Sequence, residues 1–96
     1  MARVPFLSQA RRLASEGVAP GGSRGNARNI RARAEIAGGV TDEDFLLVCD
    51  AQTSGGLLIA VAPERVERLR ELLVAGGALA AAEIGTITSG DRIVIR

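Results

Sequence analysis

The chain has 96 residues, of which 47% are apolar and only 2% aromatic, and its formal net charge is +1. This length predicts one domain, residues 1–96, with an aliphatic core, and the near-zero charge does not favour nucleic acid as a partner. Lys and His are absent, which excludes lysine and imidazole chemistry, and the single Cys excludes an internal disulfide. Every apolar run is far shorter than the roughly 20 residues of a membrane span, so we expect a cytoplasmic protein without membrane contact.

The first 40 residues predict a helix, a loop and one ambiguous segment. Apolar residues from 5 to 16 recur at the three- and four-residue spacing of an amphipathic helix, which Gly17 should end. Residues 18–26, "VAPGGSRGN", predict a loop because Pro, Gly, Ser and Asn dominate them. Residues 27–39 stay open, since their apolar residues alternate as in a strand while Ala and Arg favour a helix.

The remaining residues predict two helices and three strands. In chain order these are a helix at 41–48, a strand at 57–62, a helix at 63–75, and strands at 80–88 and 92–96. Thr41 is the expected N-cap of the first of these helices, and Ser89-Gly90-Asp91 predicts a hairpin turn between the last two strands. The order predicts an α+β fold, a small mixed sheet with helices packed on one face.

Two polar, glycine-containing segments carry the candidate chemistry: "PGGSRGN" at 20–26 and "DAQTSGG" at 50–56. Each presents backbone N–H groups without bulky side chains, and loops of this kind can bind anions; Arg24 would add a charge suited to phosphate. The alternative is that each segment is a tight turn whose glycines take positive φ. For either segment alone, the turn is the favoured interpretation.

Asp50 and Cys49 stand at the start of the second segment. Asp50 could contact a metal or a nucleotide, but its spacing favours an Asx-turn that caps the loop. Cys49 follows the run 46–48, Leu-Leu-Val, and this setting predicts a buried thiol with a raised pKa and no catalytic role. The sequence therefore predicts no catalytic residue and no metal site.

Charge is distributed unevenly along the chain. Residues 1–40 hold seven Arg and two Glu, a balance of +5, whereas residues 41–96 hold five Arg and nine acidic residues, a balance of −4. The basic half could meet phosphates or an acidic surface, or it could be a solvated face.

Taken together and in order, the two segments resemble the selenophosphate synthetase (selenide, water dikinase) family. "GVAPGGSRGN" at 17–26 is similar to that family's G-x-x-P-G-G-T-x-x-N segment, and "CDAQTSGGLLIAVAPE" at 49–64 is similar to its D-P-Q-T-S-G-G-L-L segment. A closing "IGTI" at 84–87 falls in the expected order. Ser23 stands where the family has Thr, and Ala51 stands where it has Pro, which loosens the entry to the second turn.

The resemblance implies a partial C-terminal domain, here residues 1–96, of the aminoimidazole-ribonucleotide-synthetase-like fold. It also implies an enzyme that makes selenophosphate, AMP and phosphate from selenide, ATP and water, with Mg and ATP as its cofactors. The family's catalytic Cys or selenocysteine, its Lys and most of its magnesium-binding aspartates lie in an N-terminal segment with no counterpart here. The isolated chain is therefore expected to be inactive and to hold no cofactor itself.

The residues that the resemblance places near ATP and its phosphates belong to the two segments. They are Gly21, Gly22, Ser23, Arg24, Asn26, Asp50, Gln52, Thr53, Ser54, Gly55 and Gly56. We expect Arg24 and Asn26 to share one face of the domain with residues 52–54, around an open concavity.

Two alternatives stay open at this point. One is a part of an enzyme from another branch of the same superfamily, and the other is a non-catalytic module that self-associates or binds a partner. An unpaired strand edge and uncovered apolar surface predict a homo-oligomer. A separate N-terminal catalytic domain is the other expected partner.

Overall fold

A computed structural model describes residues 3–96, so the predicted domain of 1–96 includes two residues outside the described part. In chain order the elements are α1 (Ala10–Ser15), α2 (Gly21–Arg31), β1 (Ala34–Ile36), α3 (Asp42–Val48), a 3-10 turn (Pro63–Arg65), α4 (Val66–Ala75) and β2 (Ile93–Ile95). Helices together with a small sheet confirm the predicted α+β class. Among the described residues, no helix has the length and apolar character needed to cross a bilayer.

The core of the described chain lies among the first three helices. α3 packs against both α1 and α2, and its Phe45 side chain is 1% exposed. Ala14 of α1 is buried as well, and the Arg31 guanidinium covers the Phe45 ring, 5.3 Å from its centroid. α3 begins as predicted, since the Thr41 hydroxyl accepts a hydrogen bond from the Asp44 N–H at 3.1 Å.

A charged contact ties α1 to α3. Asp44 is buried, and its carboxylate accepts a hydrogen bond from the Arg11 guanidinium, which also lies 5.0 Å from the centre of the Phe6 ring. A buried carboxylate without a partner would be costly. The Arg11 contact therefore holds the two helices in register while it satisfies the charge.

The structure corrects the predicted start of α1 and resolves the ambiguous segment 27–39. α1 begins at Ala10 and not near Pro5, but it ends as predicted because Gly17 has a φ of +79°, a conformation that favours glycine. The ambiguous segment 27–39 contains both structures, since α2 continues to Arg31 and β1 begins at Ala34. Arg28 and Arg31 fall in the last turn of α2, where positive charge complements the helix dipole.

The sheet of the described chain consists of two parallel strands. Ala34, Glu35 and Ile36 are opposite Ile93, Val94 and Ile95. Two further bonds extend the ladder: the Ile93 N–H donates to the Arg33 carbonyl at 3.1 Å, and the Ala37 N–H donates to the Ile95 carbonyl at 2.9 Å. The predicted hairpin at 89–91 is therefore wrong, because β2 pairs with the distant β1 and not with the residues just before the turn.

The predicted strands at 57–62 and 80–88 are also wrong for this structure. Neither segment belongs to a strand in the described chain, and nearly all their residues are exposed. The apolar run 57–62 has strand composition, but strand structure requires a neighbouring strand to accept its hydrogen bonds. No such neighbour lies beside it among the described residues.

The helix predicted at 63–75 is confirmed. A 3-10 turn over Pro63–Arg65 leads into α4, whose stripe of Val66, Leu69 and Leu73 is half-buried. Gly77, with a φ of +79°, follows its end as a helix terminator. Within the described chain, the only element that α4 contacts substantially is the 3-10 turn that precedes it, so this helix adds nothing to the core around Phe45.

Candidate functional site

The first glycine-containing segment is largely the beginning of α2. The predicted loop over 18–26 is wrong beyond Pro20, which is the extended N-cap residue of the helix and provides no side-chain cap. Gly21 and Gly22 do not take positive φ, so neither serves as a left-handed turn residue. Gly22 instead lies close to the second segment, because a Cβ atom there would stand only 3.1 Å from the Cβ of Ala51.

Ser23 joins the two segments. Its side chain is fully buried, and its hydroxyl donates to the Asp50 carboxylate at 2.5 Å while it accepts a hydrogen bond from the Ala51 N–H at 3.0 Å. One hydroxyl thus satisfies a carboxylate and a backbone donor from the same neighbouring turn. This double contact holds the start of the 50–56 segment against the first turn of α2.

Asn26 reinforces the same junction one turn later, while Arg24 does not take part in it. The Asn26 amide donates to the Cys49 carbonyl at 3.1 Å. The Arg24 guanidinium donates instead to the Gly17 carbonyl at 2.8 Å, back across the preceding loop. The side chain expected to hold phosphate therefore closes the connection between α1 and α2.

The rest of the second segment is exposed. Gln52, Thr53 and Ser54 are exposed, and among the described residues none of them makes a hydrogen bond to Arg24 or Asn26. A Cβ atom added at Gly55 would lie 1.9 Å from the Gln52 amide oxygen, so that amide folds over the Gly55 backbone. The structure thus brings Ser23 and Asn26 to residues 49–51, and the shared face with residues 52–54 stays a prediction.

An apolar groove adjoins the junction. It has a volume of about 230 Å³ and lies between α1, the loop before α2, and α3. Its lining residues are Leu7, Gln9, Ala10, Leu13, Ala14, Val18, Ala19, Pro20, Leu46, Leu47 and Asp50. Because aliphatic side chains and one carboxylate dominate this lining, the groove does not suit a phosphate group.

The residues present do not fit a magnesium ion. A metal site of carboxylates needs several oxygen ligands that converge, and the described residues contain no group of three or more His, Cys, Asp or Glu side chains that could hold a metal. Asp50 already accepts the Ser23 hydroxyl. No step through Mg can therefore be assigned to this chain's own residues.

The pKa of the Cys49 thiol is raised as predicted, because desolvation disfavours the thiolate. The residue is half-buried, which is less than the buried thiol that the sequence predicts. The Cys49 backbone carbonyl accepts a hydrogen bond from the Asn26 side-chain amide. A neutral thiol at this position does not provide the thiolate that nucleophilic chemistry requires.

Sequence reasoning missed the central position of Ser23. The sequence predicts Ser23 as one of several phosphate-proximal residues of a loop, whereas the structure buries it on the inner face of a helix. A signal was present: Ser23, Ala27 and Ile30 recur at helical spacing, and all three are buried or half-buried in α2. The run of glycines and Pro20 concealed this periodicity.

Comparison with known protein families supports the resemblance that the two segments suggested. The family described as "AIR synthase related protein, C-terminal domain" matches residues 12–96. The chain belongs to this family. Because the match covers almost the whole chain, it includes both the 20–26 and the 50–56 segment.

Individual curated proteins show which enzymes the chain is similar to. The chain is 38% identical over its whole length to a selenide, water dikinase of Carboxydothermus hydrogenoformans, 40% identical over 98% of its length to that of Pelobacter propionicus, and 39% identical over 94% of its length to that of Rhizobium meliloti. These alignments cover 28%, 28% and 26% of the respective relatives, so the chain spans about a quarter of their length. No solved structure matches the chain. The similarity to selenide, water dikinases that the two motifs predicted is confirmed.

Proposed function

We propose that this chain acts as the C-terminal-domain part of a selenophosphate synthetase, an enzyme that converts selenide, ATP and water into selenophosphate, AMP and phosphate. The observation that supports this most directly is the Ser23 junction, which joins the family's two signature segments in one packed unit. The named relatives support the same assignment, since they are selenide, water dikinases.

In this proposal the chain supplies one wall of the ATP site. Ser23 fixes the start of the 50–56 segment, and the exposed side chains of Gln52, Thr53 and Ser54 then face the region that carries the chemistry. The phosphate-proximal set proposed here is Gly21, Gly22, Ser23, Arg24, Asn26, Asp50, Gln52, Thr53, Ser54, Gly55 and Gly56. Ser23 and Asp50 act as positioning residues within it, because each uses its polar atoms on the other.

The catalytic groups come from a separate N-terminal catalytic domain, which would bind most of the Mg and ATP. The chain itself has no Lys and no His, and a phosphoryl-transfer site usually relies on cations and metal ions that surround the phosphates. We therefore propose that the isolated chain does not catalyse the reaction. Selenide-dependent release of AMP by the pure 96-residue protein, above a no-protein control, would contradict this.

A chimera tests the positive part of the proposal. The matching segment of the Carboxydothermus hydrogenoformans enzyme is replaced by this chain, and selenide-dependent AMP formation is measured. We expect activity within about tenfold of the parent enzyme if the chain carries the same wall. A chimera that folds, as judged by circular dichroism, but forms no AMP would contradict the proposal.

Variants at Ser23 make the test specific. Ser23→Thr keeps the hydroxyl and should preserve the chimera's kcat, whereas Ser23→Ala removes a hydrogen bond to a charged group and should lower it roughly tenfold or more by releasing the 50–56 segment. Leu79→Ala, at a fully exposed site away from both segments, serves as the matched control. Equal kcat values for Ser23→Ala and Ser23→Thr would remove the junction from the proposal.

A further inference from the structure

The hydrogen bonds that join the two segments end at Ala51. Asn26 and Ser23 of α2 bond to Cys49 and Asp50, and the last bond in chain order runs from the Ala51 N–H to the Ser23 hydroxyl at 3.0 Å. Residues 52–56 make no hydrogen bond within the described chain. Ala51 is therefore the point at which the exposed part of the second segment leaves α2.

Both the backbone and the side chain of Ala51 lie against the first turn of α2. The Ala51 N–H bonds to a hydroxyl that is fully buried, although Ala51 itself is exposed. A Cβ atom at Gly22 would stand only 3.1 Å from the Ala51 Cβ. Because an exposed N–H exchanges readily with water unless a partner holds it, the Ser23 hydroxyl is the group that fixes this amide.

Ser23 and Ala51 are also the two positions at which this chain departs from the family's motifs, which have Thr and Pro there. The structure brings these two departures into direct contact. Proline has no N–H, so the bond to Ser23 exists only because alanine occupies position 51, whereas a proline would restrict φ to about −65°. This chain therefore holds the turn with a hydrogen bond where a proline ring would hold it by restricting the backbone.

We propose that Ser23 and Ala51 form a coupled positioning pair, in which the bond between them sets the direction of residues 52–56 in place of the fixed φ of a proline. The N–H of residue 51 is then the group that matters, and the stiffness of its backbone is not. The pairing concerns the chain's own contacts and stands without the proposed function, whereas its effect on the rate of the enzyme rests on that function.

Hydrogen exchange of individual amides, measured by NMR on the 96-residue chain, tests the bond itself. We expect the Ala51 amide to exchange at least about fivefold faster in Ser23→Ala than in the unsubstituted chain, and to keep its rate within about twofold in Ser23→Thr, which retains the acceptor. The Gln52 amide has no partner in the described chain and should change by less than about twofold. An unchanged Ala51 rate in Ser23→Ala, or equal acceleration of both amides, would overturn the pairing.

Two substitutions at residue 51 separate the N–H from backbone stiffness, and both are made in the chimera with the Carboxydothermus hydrogenoformans enzyme. Ala51→Gly keeps the N–H and makes the backbone more flexible, whereas Ala51→Pro removes the N–H and makes the backbone stiffer. We expect kcat to stay within about threefold in Ala51→Gly and to fall at least about fivefold in Ala51→Pro. The opposite order would mean that stiffness positions residues 52–56, and it would overturn the proposal. If circular dichroism shows that Ala51→Pro does not fold, the exchange rates decide alone.

Changing both positions together tests the coupling. In Ser23→Thr/Ala51→Pro the hydroxyl still has the Asp50 carboxylate as its acceptor, and the added methyl group can contact the proline ring. We expect this double variant to recover kcat to within about threefold of the unsubstituted chimera. A double variant as slow as Ala51→Pro would contradict the coupling. If Ser23→Ala accelerates the Ala51 amide as expected but the unsubstituted chimera forms no AMP, the bond is supported and only the proposed function fails.

Discussion

The described chain divides into a first half, residues 3–50, and a second half, residues 51–96. The two halves have similar apolar composition but different degrees of burial. Every buried residue of the described chain lies in the first half, and these four are Ala14, Ser23, Asp44 and Phe45. From residue 51 onward no described residue is buried, although leucine, isoleucine and valine are frequent there. The first half has three helices that cover one another, whereas α4 lies apart from them.

This contrast shows that burial follows from the available neighbours more than from residue type. α3 buries Phe45 because α1 and α2 flank it, and an apolar side chain gains stability only from the area that neighbours remove from water. The run at 57–62 is as apolar as a core strand, but its two leucines are 88% and 84% exposed and no strand of the described chain lies beside it. The first half therefore provides the buried core of the described chain, whereas most of the large apolar side chains of the second half stay exposed.

The largest expected effect comes from the centre of the first half. Phe45→Ala should lower the free energy of unfolding by about 3–5 kcal/mol, because it leaves a cavity at the one aromatic residue that is buried among the described residues. For a chain of this size such a loss approaches the whole stability. Circular dichroism during urea titration measures it, and the midpoint should fall sharply or the transition should disappear.

The second half provides the control for that experiment. Leu57→Ala removes a large apolar side chain that is 88% exposed. In the monomer it should change the free energy of unfolding by no more than about 0.5 kcal/mol. A loss comparable to that of Phe45→Ala would mean that the second half is packed in solution and would remove the contrast between the halves.

The next effect concerns the charged contact between α1 and α3. Arg11→Ala should cost about 1–3 kcal/mol, because it leaves the buried Asp44 carboxylate without its guanidinium partner. Arg12 provides the matched control: it pairs with Glu16 on the exposed side of α1, and Arg12→Ala should cost about 0.5 kcal/mol or less. Urea midpoints of both variants, with equal slopes, give the difference. Equal losses for the two would show that burial of Asp44 does not matter.

Local signals in the sequence predicted the elements of the first half better than its long-range contacts. Thr41 and the acidic residues after it define the start of α3, and Gly17 ends α1. Strand pairing was less predictable, because β1 and β2 are separated by most of the chain and no local pattern encodes which strand lies beside which. The hairpin prediction at 89–91 failed for this reason.

The structure joins the two segments at residues 49–51, whereas the face shared with residues 52–54 stays a prediction. The motifs alone did not specify this packing. They suggested that polar side chains face a phosphate, whereas Ser23 and Asp50 face each other. A serine looks the same in a sequence whether its hydroxyl meets a ligand or a carboxylate 27 positions away, so only the packing of α2 could distinguish the two.

A smaller effect on the free energy of unfolding is expected from alanine substitutions in α2. Two of its glycines, three positions apart, should respond differently. Gly25 has open space where a Cβ would stand, so Gly25→Ala should raise the free energy of unfolding by about 0.5–1 kcal/mol through better helix propensity. Gly22→Ala gains the same propensity, but its Cβ would lie only 3.1 Å from that of Ala51, so we expect no gain or a loss. Thermal unfolding of both variants decides this, and an equal gain at both positions would show that α2 and residue 51 are not in close contact.

The smallest effect concerns Cys49. Burial raises the pKa of its thiol, so the folded state favours the neutral form and thiolate chemistry is suppressed. At pH 8 we expect iodoacetamide to alkylate Cys49 at least about threefold more slowly in the folded chain than in urea. A raised pKa also means that its contribution to stability is complete below the ordinary thiol pKa, about 8.5, and is lost as the pH rises through the folded value. Cys49→Ser should therefore remove part of the alkaline decline in stability, and an unchanged pH profile between 8 and about 10 would show that the thiol is fully solvated.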